Sequence, residues 1–266
     1  MLLIIETLLL ISAALGQDHR AAVEGQPFPL DMANNSVDDQ YKRCRENMTD
    51  LVKTTFMNHE MSTNSNFANA WNHAKADNYT QPGDNLTKNH LIAIHVYSSS
   101  VFEVYKEFKE ADHDGKDSYK TKKYKWYSLH FLLTDAIQIL KKTQKKCYYT
   151  YRRTKLTFIQ NYQNGKIRFG SFTSSSIDPN KTKIFGNVSC FEIYTCEGAN
   201  IAKYSKHPHE KEVLIPPYEM FNVTAVRTKR DEKNLWCDTV YMLNSTGTRS
   251  DLNCALFKKP TKTKMK

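Results

Sequence analysis

Two glutamates separated by one residue, Glu210-Lys211-Glu212, stand just before the apolar run Val213-Leu214-Ile215 and the pair Pro216-Pro217. In a β-strand, side chains at i and i+2 share a face and lie roughly 7 Å apart, so both carboxylates would address one ligand. Such a pair can cleave a glycosidic bond: one carboxylate stabilises an oxocarbenium-like sugar while the other handles the proton of the incoming nucleophile. Alternating glutamates at a strand edge are also a common way of solvating a face, with Lys211 pointing to the opposite side. The remaining motifs decide between the two readings.

Several other combinations carry no chemistry on inspection. His59-Glu60 and His209-Glu210 both lack the second histidine of a zinc-protease helix, and Asp112-His113-Asp114-Gly115 lacks the later ligands of a calcium loop. Neither a G-x-G-x-x-G turn nor a P-loop occurs, so a bound nucleotide would be held outside a Rossmann frame. The 266 residues carry a formal charge of +10, with basic segments at 120–125, 141–146 and 258–266. No helix-turn-helix, finger or RNP-like pattern accompanies them, which argues against a nucleic-acid partner. A solvated basic surface is the plain reading; attraction to anionic glycans or a nucleotide pyrophosphate is the functional one.

The first sixteen residues read as a secretory signal peptide, with apolar blocks at 2–5 and 8–11 and small residues before Gln17, although a charged n-region is missing. Six cysteines in an exported chain favour disulfides, and none has C-x2-C spacing. Sequons at Asn34, Asn47, Asn78, Asn85, Asn180, Asn187, Asn222 and Asn244 suit a secreted surface and are expected on exposed loops. The C-terminal run Phe257-Lys258-Lys259-Pro260-Thr261-Lys262-Thr263-Lys264-Met265-Lys266 resembles no lipid-anchor signal, so a soluble secreted product without a stable membrane span is expected.

The elements that must position the glutamates divide into a helical first half and a strand-rich second half, an α+β class. Residues 38–61 and 65–75 look helical, and 91–97 reads as a short apolar strand. Ser100 with Glu103 forms a capping box that opens a helix ended by Gly115. From Leu129 the apolar residues Leu132, Leu133, Ala136, Ile137 and Leu140 form the stripe of a core-packed helix. After Cys147 short β-branched and aromatic runs alternate with turns such as Asn164-Gly165 and Asp178-Pro179.

Upstream of the glutamates lie Tyr151-Arg152-Arg153-Thr154 and Phe169-Gly170-Ser171-Phe172-Thr173-Ser174-Ser175-Ser176. The order Arg, then Ser-x-Ser after Phe-Thr, then Glu-x-Glu resembles the arginine-specific mono-ADP-ribosyltransferases, a secreted and cell-surface family related to some bacterial toxins. Ser36-Val37-Asp38-Asp39-Gln40-Tyr41, Phe67-Ala68-Asn69-Ala70-Trp71 and residues 129–136 also look like that family's landmarks, so the resemblance covers nearly the whole mature chain. It implies the ADP-ribosyltransferase fold: a helical N-terminal part, about 38–142, and a strand-rich part, about 147–257, whose two roughly perpendicular sheets pinch NAD. Residues 17–257 would be one catalytic domain, with 258–266 a basic tail. The resemblance also implies disulfides Cys44–Cys254 and Cys147–Cys196, leaving Cys190 and Cys237 either paired with each other or as two free thiols.

What the resemblance implies for the chemistry is specific. Arg152 would contact the NAD pyrophosphate or adjacent ribose. Ser174 would bond the nicotinamide-ribose region and orient Glu212, with Ser176 supporting its strand, and Phe185 would stack on nicotinamide. Glu212 would accept the ribose 2′-OH and stabilise the oxocarbenium, and Glu210 would hold and deprotonate the acceptor guanidinium. NAD or NADP would be co-substrate, without a metal, and acceptors would be arginine-bearing extracellular proteins or small guanidino compounds. An NAD glycohydrolase using the same site, or a catalytically silent binding glycoprotein, are the alternatives. The family commonly has Gly where this chain has Arg153, and Gly lets the backbone approach the nicotinamide amide closely.

Overall fold

The computed structural model describes residues 27–77, 82–99, 103–160 and 165–257. The expected signal peptide, the Asn78 sequon, Ser100, Asn164 and the basic tail lie outside the described residues. Helix α1 (Arg45–Leu51) continues through a π-helical turn, Val52–Phe56, into α2 (Met57–Thr63), and α3 (Ser65–Ala76), α4 (Lys88–Ser98), α5 (Val104–Asp114), α6 (Lys116–Lys120) and α7 (Tyr127–Gln144) follow. Helix α7 is buried along almost its whole length and packs against α4, α2 and the π-helical turn. Its first turn is anchored by the buried Glu60, whose carboxylate accepts from the Ser128 N–H at 3.1 Å, where the positive end of the helix dipole favours an anion.

Three local expectations change. Residues 91–97 are helical, not a strand, because α4 is buried on nearly every side and so shows no polar face in its sequence. A capping box closes its first turn, with the Thr87 N–H donating to His90 Nδ1 at 3.0 Å. Residues 38–44 are not helical. Asp38 is buried against Arg168 (2.5 Å) and accepts from the Asp251 and Leu252 N–H groups, while Asp39 accepts from the Cys254 and Tyr41 N–H groups and the Tyr119 hydroxyl. Those carboxylates are spent on pinning the segment to the C-terminal end. Glu103 precedes α5 in a left-handed conformation, φ 57°, instead of closing a capping box from within the helix.

The strands are β1 (Phe28–Leu30), β2 (Tyr148–Thr154), β3 (Phe158–Gln160), β4 (Lys166–Ile167), β5 (Thr173–Ser176), β6 (Ser189–Thr195), β7 (Ala199–Asn200), β8 (Glu212–Ile215), β9 (Glu219–Thr228) and β10 (Thr239–Thr248). Strands β1 and β3 pair in parallel as a small sheet; the others run in the order β4-β9-β10-β6-β2-β5-β8-β7. The large sheet is nearly split. Strand β2 pairs with β6 along its whole length but with β5 only through Tyr151 and Ser176. The ladder therefore all but breaks between β2 on one side and β5 and β8 on the other.

One apolar core fills the helical half, and a second, including Phe158, Phe169, Phe191, Phe221 and Tyr241, packs between the small sheet and the inner face of the large one. Disulfides Cys44–Cys254, Cys147–Cys196 and Cys190–Cys237 tie the helical half to the C-terminal end, the start of β2 to the end of β6, and β6 to the segment before β10. Cys190 and Cys237 therefore pair.

Candidate active site

Alternation along β2 turns Arg152 and Arg153 to opposite faces. Arg152 is only 1% exposed and donates from Nη1 to the Ser174 carbonyl at 2.9 Å, bridging the split between β2 and β5. Ser174, on β5, is fully buried, and its hydroxyl shares a 3.1 Å hydrogen bond with the Tyr97 hydroxyl from the last turn of α4. Tyr97 also donates to the Phe172 carbonyl at 3.1 Å. The helix misread as a strand therefore sets the position of Ser174. Sequence reasoning missed Tyr97 for that reason.

Glu212 opens β8 and is wholly buried. Its Oε2 accepts from Ser205 Oγ at 3.2 Å, and the Ser174 hydroxyl is close enough to favour the ionised carboxylate. Ser205 belongs to the 201–211 segment, which is tethered to α4 by the Lys206 N–H donating to Ser98 Oγ at 2.9 Å. Nothing in the sequence marks Ser205, because a serine seven residues before a glutamate carries no signal of its own.

Glu210 reaches the site by a different route from the strand alternation expected. It ends a short 3-10 turn, Pro208–Glu210, and Lys211 then turns left-handed at φ 52° before the strand starts. The i and i+2 geometry of a strand therefore does not apply to the pair. What holds the turn is Ser176, whose hydroxyl donates to the Glu210 carbonyl at 2.6 Å. Lys211 points outward to Asp178 at 3.1 Å. The two carboxylates remain within electrostatic reach of each other. Burial, and then the Glu212 charge, raise Glu210 to about 8; burial raises Glu212 to about 7 against the opposing pull of Ser174, Ser205 and Arg152.

Another buried acid shows how different this pair is. Glu219 accepts from Thr195 Oγ at 2.5 Å and from the Cys196 and Glu197 N–H groups at 2.7 and 3.0 Å, so both its oxygens are occupied in holding a turn. Glu210 Oε2 and Glu212 Oε1, by contrast, are buried oxygens with no hydrogen-bond partner among the described residues. An unsatisfied buried acceptor is costly, and a ligand donor would relieve it. The raised pair also predicts how stability varies with pH. Between the ordinary glutamate value of 4.5 and about 8 the folded chain holds protons that the unfolded chain releases, so these carboxyls cost more stability as pH rises through that window. The melting temperature of Glu210→Gln should rise above that of the wild type progressively from about pH 5 to about pH 8; a gap constant with pH would contradict this account.

Phe185 ends the 3-10 helix Pro179–Phe185 and is 4% exposed. The next residue, Gly186, has φ 130°, and a Cβ there would lie 2.7 Å from the Lys155 nitrogen and the Thr154 carbonyl carbon. That close approach, open only to glycine, carries Phe185 to the end of β2, next to the Arg152-Arg153-Thr154 run. Arg153 faces away from Arg152. Its guanidinium stacks on the Trp236 ring, 4.4 Å from the centroid, and Nη1 donates to the Trp236 carbonyl at 3.4 Å. Its backbone is a different matter. The Thr154 carbonyl accepts from the Val188 N–H on the β6 side, so the Arg153 N–H and C=O point toward the split, beyond the single β2–β5 pair.

A family model described as NAD:arginine ADP-ribosyltransferase matches residues 30–245. The chain belongs to this family. It is 34% identical over 259 residues to NAD(P)(+)--arginine ADP-ribosyltransferase 1 of Gallus gallus, covering 95% of this chain and 80% of that protein. It is also 33% identical over 254 residues to GPI-linked NAD(P)(+)--arginine ADP-ribosyltransferase 1 of Mus musculus, covering 88% and 74%. Among solved structures, the eukaryotic mono-ADP-ribosyltransferase ART2.2 superposes with a TM-score of 0.70 at 28% identity, covering 86% of this chain and 99% of that one. A mutant of that enzyme in complex with NAD gives 0.69 at 29% identity. The ADP-ribosyltransferase fold expected from the motifs is the fold observed.

Proposed function

We propose that this chain is an arginine ADP-ribosyltransferase that transfers ADP-ribose from NAD or NADP to the guanidinium of arginine and releases nicotinamide. The observation that carries this reading is the pair Glu210 and Glu212, each with an unsatisfied buried oxygen, beside Arg152 and Ser174 at the split in the large sheet. Among the described residues there is no group of three or more His, Cys, Asp or Glu that could hold a metal ion.

In this reading Arg152 pairs with the pyrophosphate or the adjacent ribose through charge-assisted hydrogen bonds, and its bond to the Ser174 carbonyl fixes its direction. The Arg153 N–H and C=O, directed into the split, suit the nicotinamide carboxamide, with Phe185 stacked on the ring. Glu212, steered by Ser205 and Ser174, accepts the ribose 2′-OH and stabilises the positive charge that grows on the ribose as neutral nicotinamide departs. Its burial makes that stabilisation stronger than a solvated carboxylate would give. Glu210, outside the strand and with its carboxyl raised to about 8, takes the proton of a guanidinium that is otherwise too basic to attack.

Because the Arg153 side chain leaves the cleft, Arg153→Gly should change KM for NAD by less than about threefold while lowering thermal stability through the lost Trp236 stack. A large rise in KM would place that side chain in NAD binding.

The cysteines of three disulfides indicate an extracellular setting. Among the described residues no helix is long and apolar enough to cross a membrane. Release as a secreted protein is part of the proposal; recovery on cells in a phospholipase-releasable form would replace it with a tethered one. The activity itself is tested with labelled NAD and peptides differing only in one residue, arginine or lysine. Label on the arginine peptide alone supports the reading, and label on neither rejects it.

A further inference from the structure

Facing away from the second apolar core, the outer side of the five strands β4-β9-β10-β6-β2 carries a transverse row: Tyr149, Tyr194, Asn244, Asn222 and Lys166, set side by side by the ladder register. Tyr149 is 72% exposed, and its ring lies 4.5 Å from that of Tyr194. One end of this outer face is roofed by the segment before β10, where Leu235 and Cys237 pack on Cys190 and Val240, and Trp236 donates to Glu192 at 3.1 Å. The other end is open. A cleft of about 80 Å³ runs there between Tyr149, Tyr194 and Asn244.

Two residues of this row begin sequons, Asn222-Val223-Thr224 and Asn244-Ser245-Thr246, which places them on strands rather than on the loops expected. They stand directly opposite each other, and ladder partners on one face have Cβ atoms only about 4.5–5.5 Å apart. Asn244 is exposed. Asn222 is half-buried, with Oδ1 inaccessible and without a hydrogen-bond partner among the described residues.

We propose that Asn244 carries an N-linked glycan whose first sugars lie across Tyr194 and Tyr149, covering the open aromatic end of the outer face, and that Asn222 is left unmodified. In the modification the Asn244 amide nitrogen bonds to the anomeric carbon of a lipid-diphosphate-linked oligosaccharide. The bond from that carbon to the diphosphate oxygen breaks, the amide gives up one proton and the lipid diphosphate leaves. The C–H face of a pyranose is apolar enough to stack on an aromatic ring, and the neighbouring Glu192 and Tyr hydroxyls suit its polar rim. No external partner is needed to explain the exposed tyrosines. The strand itself supplies the point of attachment.

The test uses protein secreted from eukaryotic cells. Peptide mass spectrometry should find glycan at Asn244 and none at Asn222. Hydroxyl-radical footprinting should then label Tyr149 and Tyr194 at least about threefold less in the native glycoprotein than after enzymatic deglycosylation of the same folded sample. Asn244→Gln should show the same gain in labelling with transfer to agmatine unchanged, since β10 is separated from the strands that carry Ser174 and Glu212 by β6 and β2. An unmodified Asn244, a glycan at Asn222, or equal labelling before and after deglycosylation would each overturn the proposal. Equal protection in both forms, with a dimer in sedimentation, would assign the face to a second copy of the chain instead.

Discussion

Replacing Glu212 by Gln should lower both transfer to arginine and hydrolysis of NAD by on the order of 10²-fold or more. The substitution keeps the shape of the side chain and its bond to Ser205, and removes only the charge. That charge sits in a fully buried position, where a growing positive centre on the ribose is poorly screened by water. The loss should appear mainly in kcat, because the interaction is made as nicotinamide departs. Near-normal turnover of NAD in steady-state assays would remove Glu212 from its assigned role.

The second large effect separates the two carboxylates. Glu210→Gln should lose arginine modification by about tenfold to a hundredfold while retaining most NAD hydrolysis, since water attacking the same oxocarbenium does not need a base for guanidinium. The structure sharpens this expectation by placing Glu210 on its own turn ahead of β8, held by Ser176 through its backbone. Its carboxyl can therefore be neutralised without moving the strand that carries Glu212. Equal loss of both activities, read from agmatine adduct and free ADP-ribose in one reaction, would place Glu210 in NAD binding.

How much of this was legible depended on whether a residue's environment leaves a periodic trace. Helix α7 was visible from Leu129 onward because its apolar stripe repeats at helical spacing. Helix α4 was not, since it is buried on nearly every side and its run of Leu, Ile and Val mimics a strand. That one misreading hid Tyr97, which fixes Ser174, and Ser98, which tethers the segment carrying Ser205. The glutamate pair was found from its spacing, yet the geometry behind that spacing was different. A left-handed Lys211 has no sequence signature beyond a residue that tolerates it, whereas a strand is the default reading of Glu-x-Glu before an apolar run. The Arg and Ser motifs gained meaning only from their order along the chain, and the split between β2 and β5 that brings them together is a long-range property. Arg153 illustrates the gain from coordinates: a departure that threatens NAD binding on paper turns its side chain to the opposite face, against Trp236.

The central claim is that the cleft passes ADP-ribose to a guanidino acceptor rather than to water. It is tested most directly by counting products in one reaction of the purified wild-type chain with NAD and saturating agmatine. Nicotinamide released and ADP-ribosyl-agmatine formed should rise together, close to one for one, with little free ADP-ribose. Nicotinamide release matched by free ADP-ribose, and unaffected by agmatine, would contradict the account.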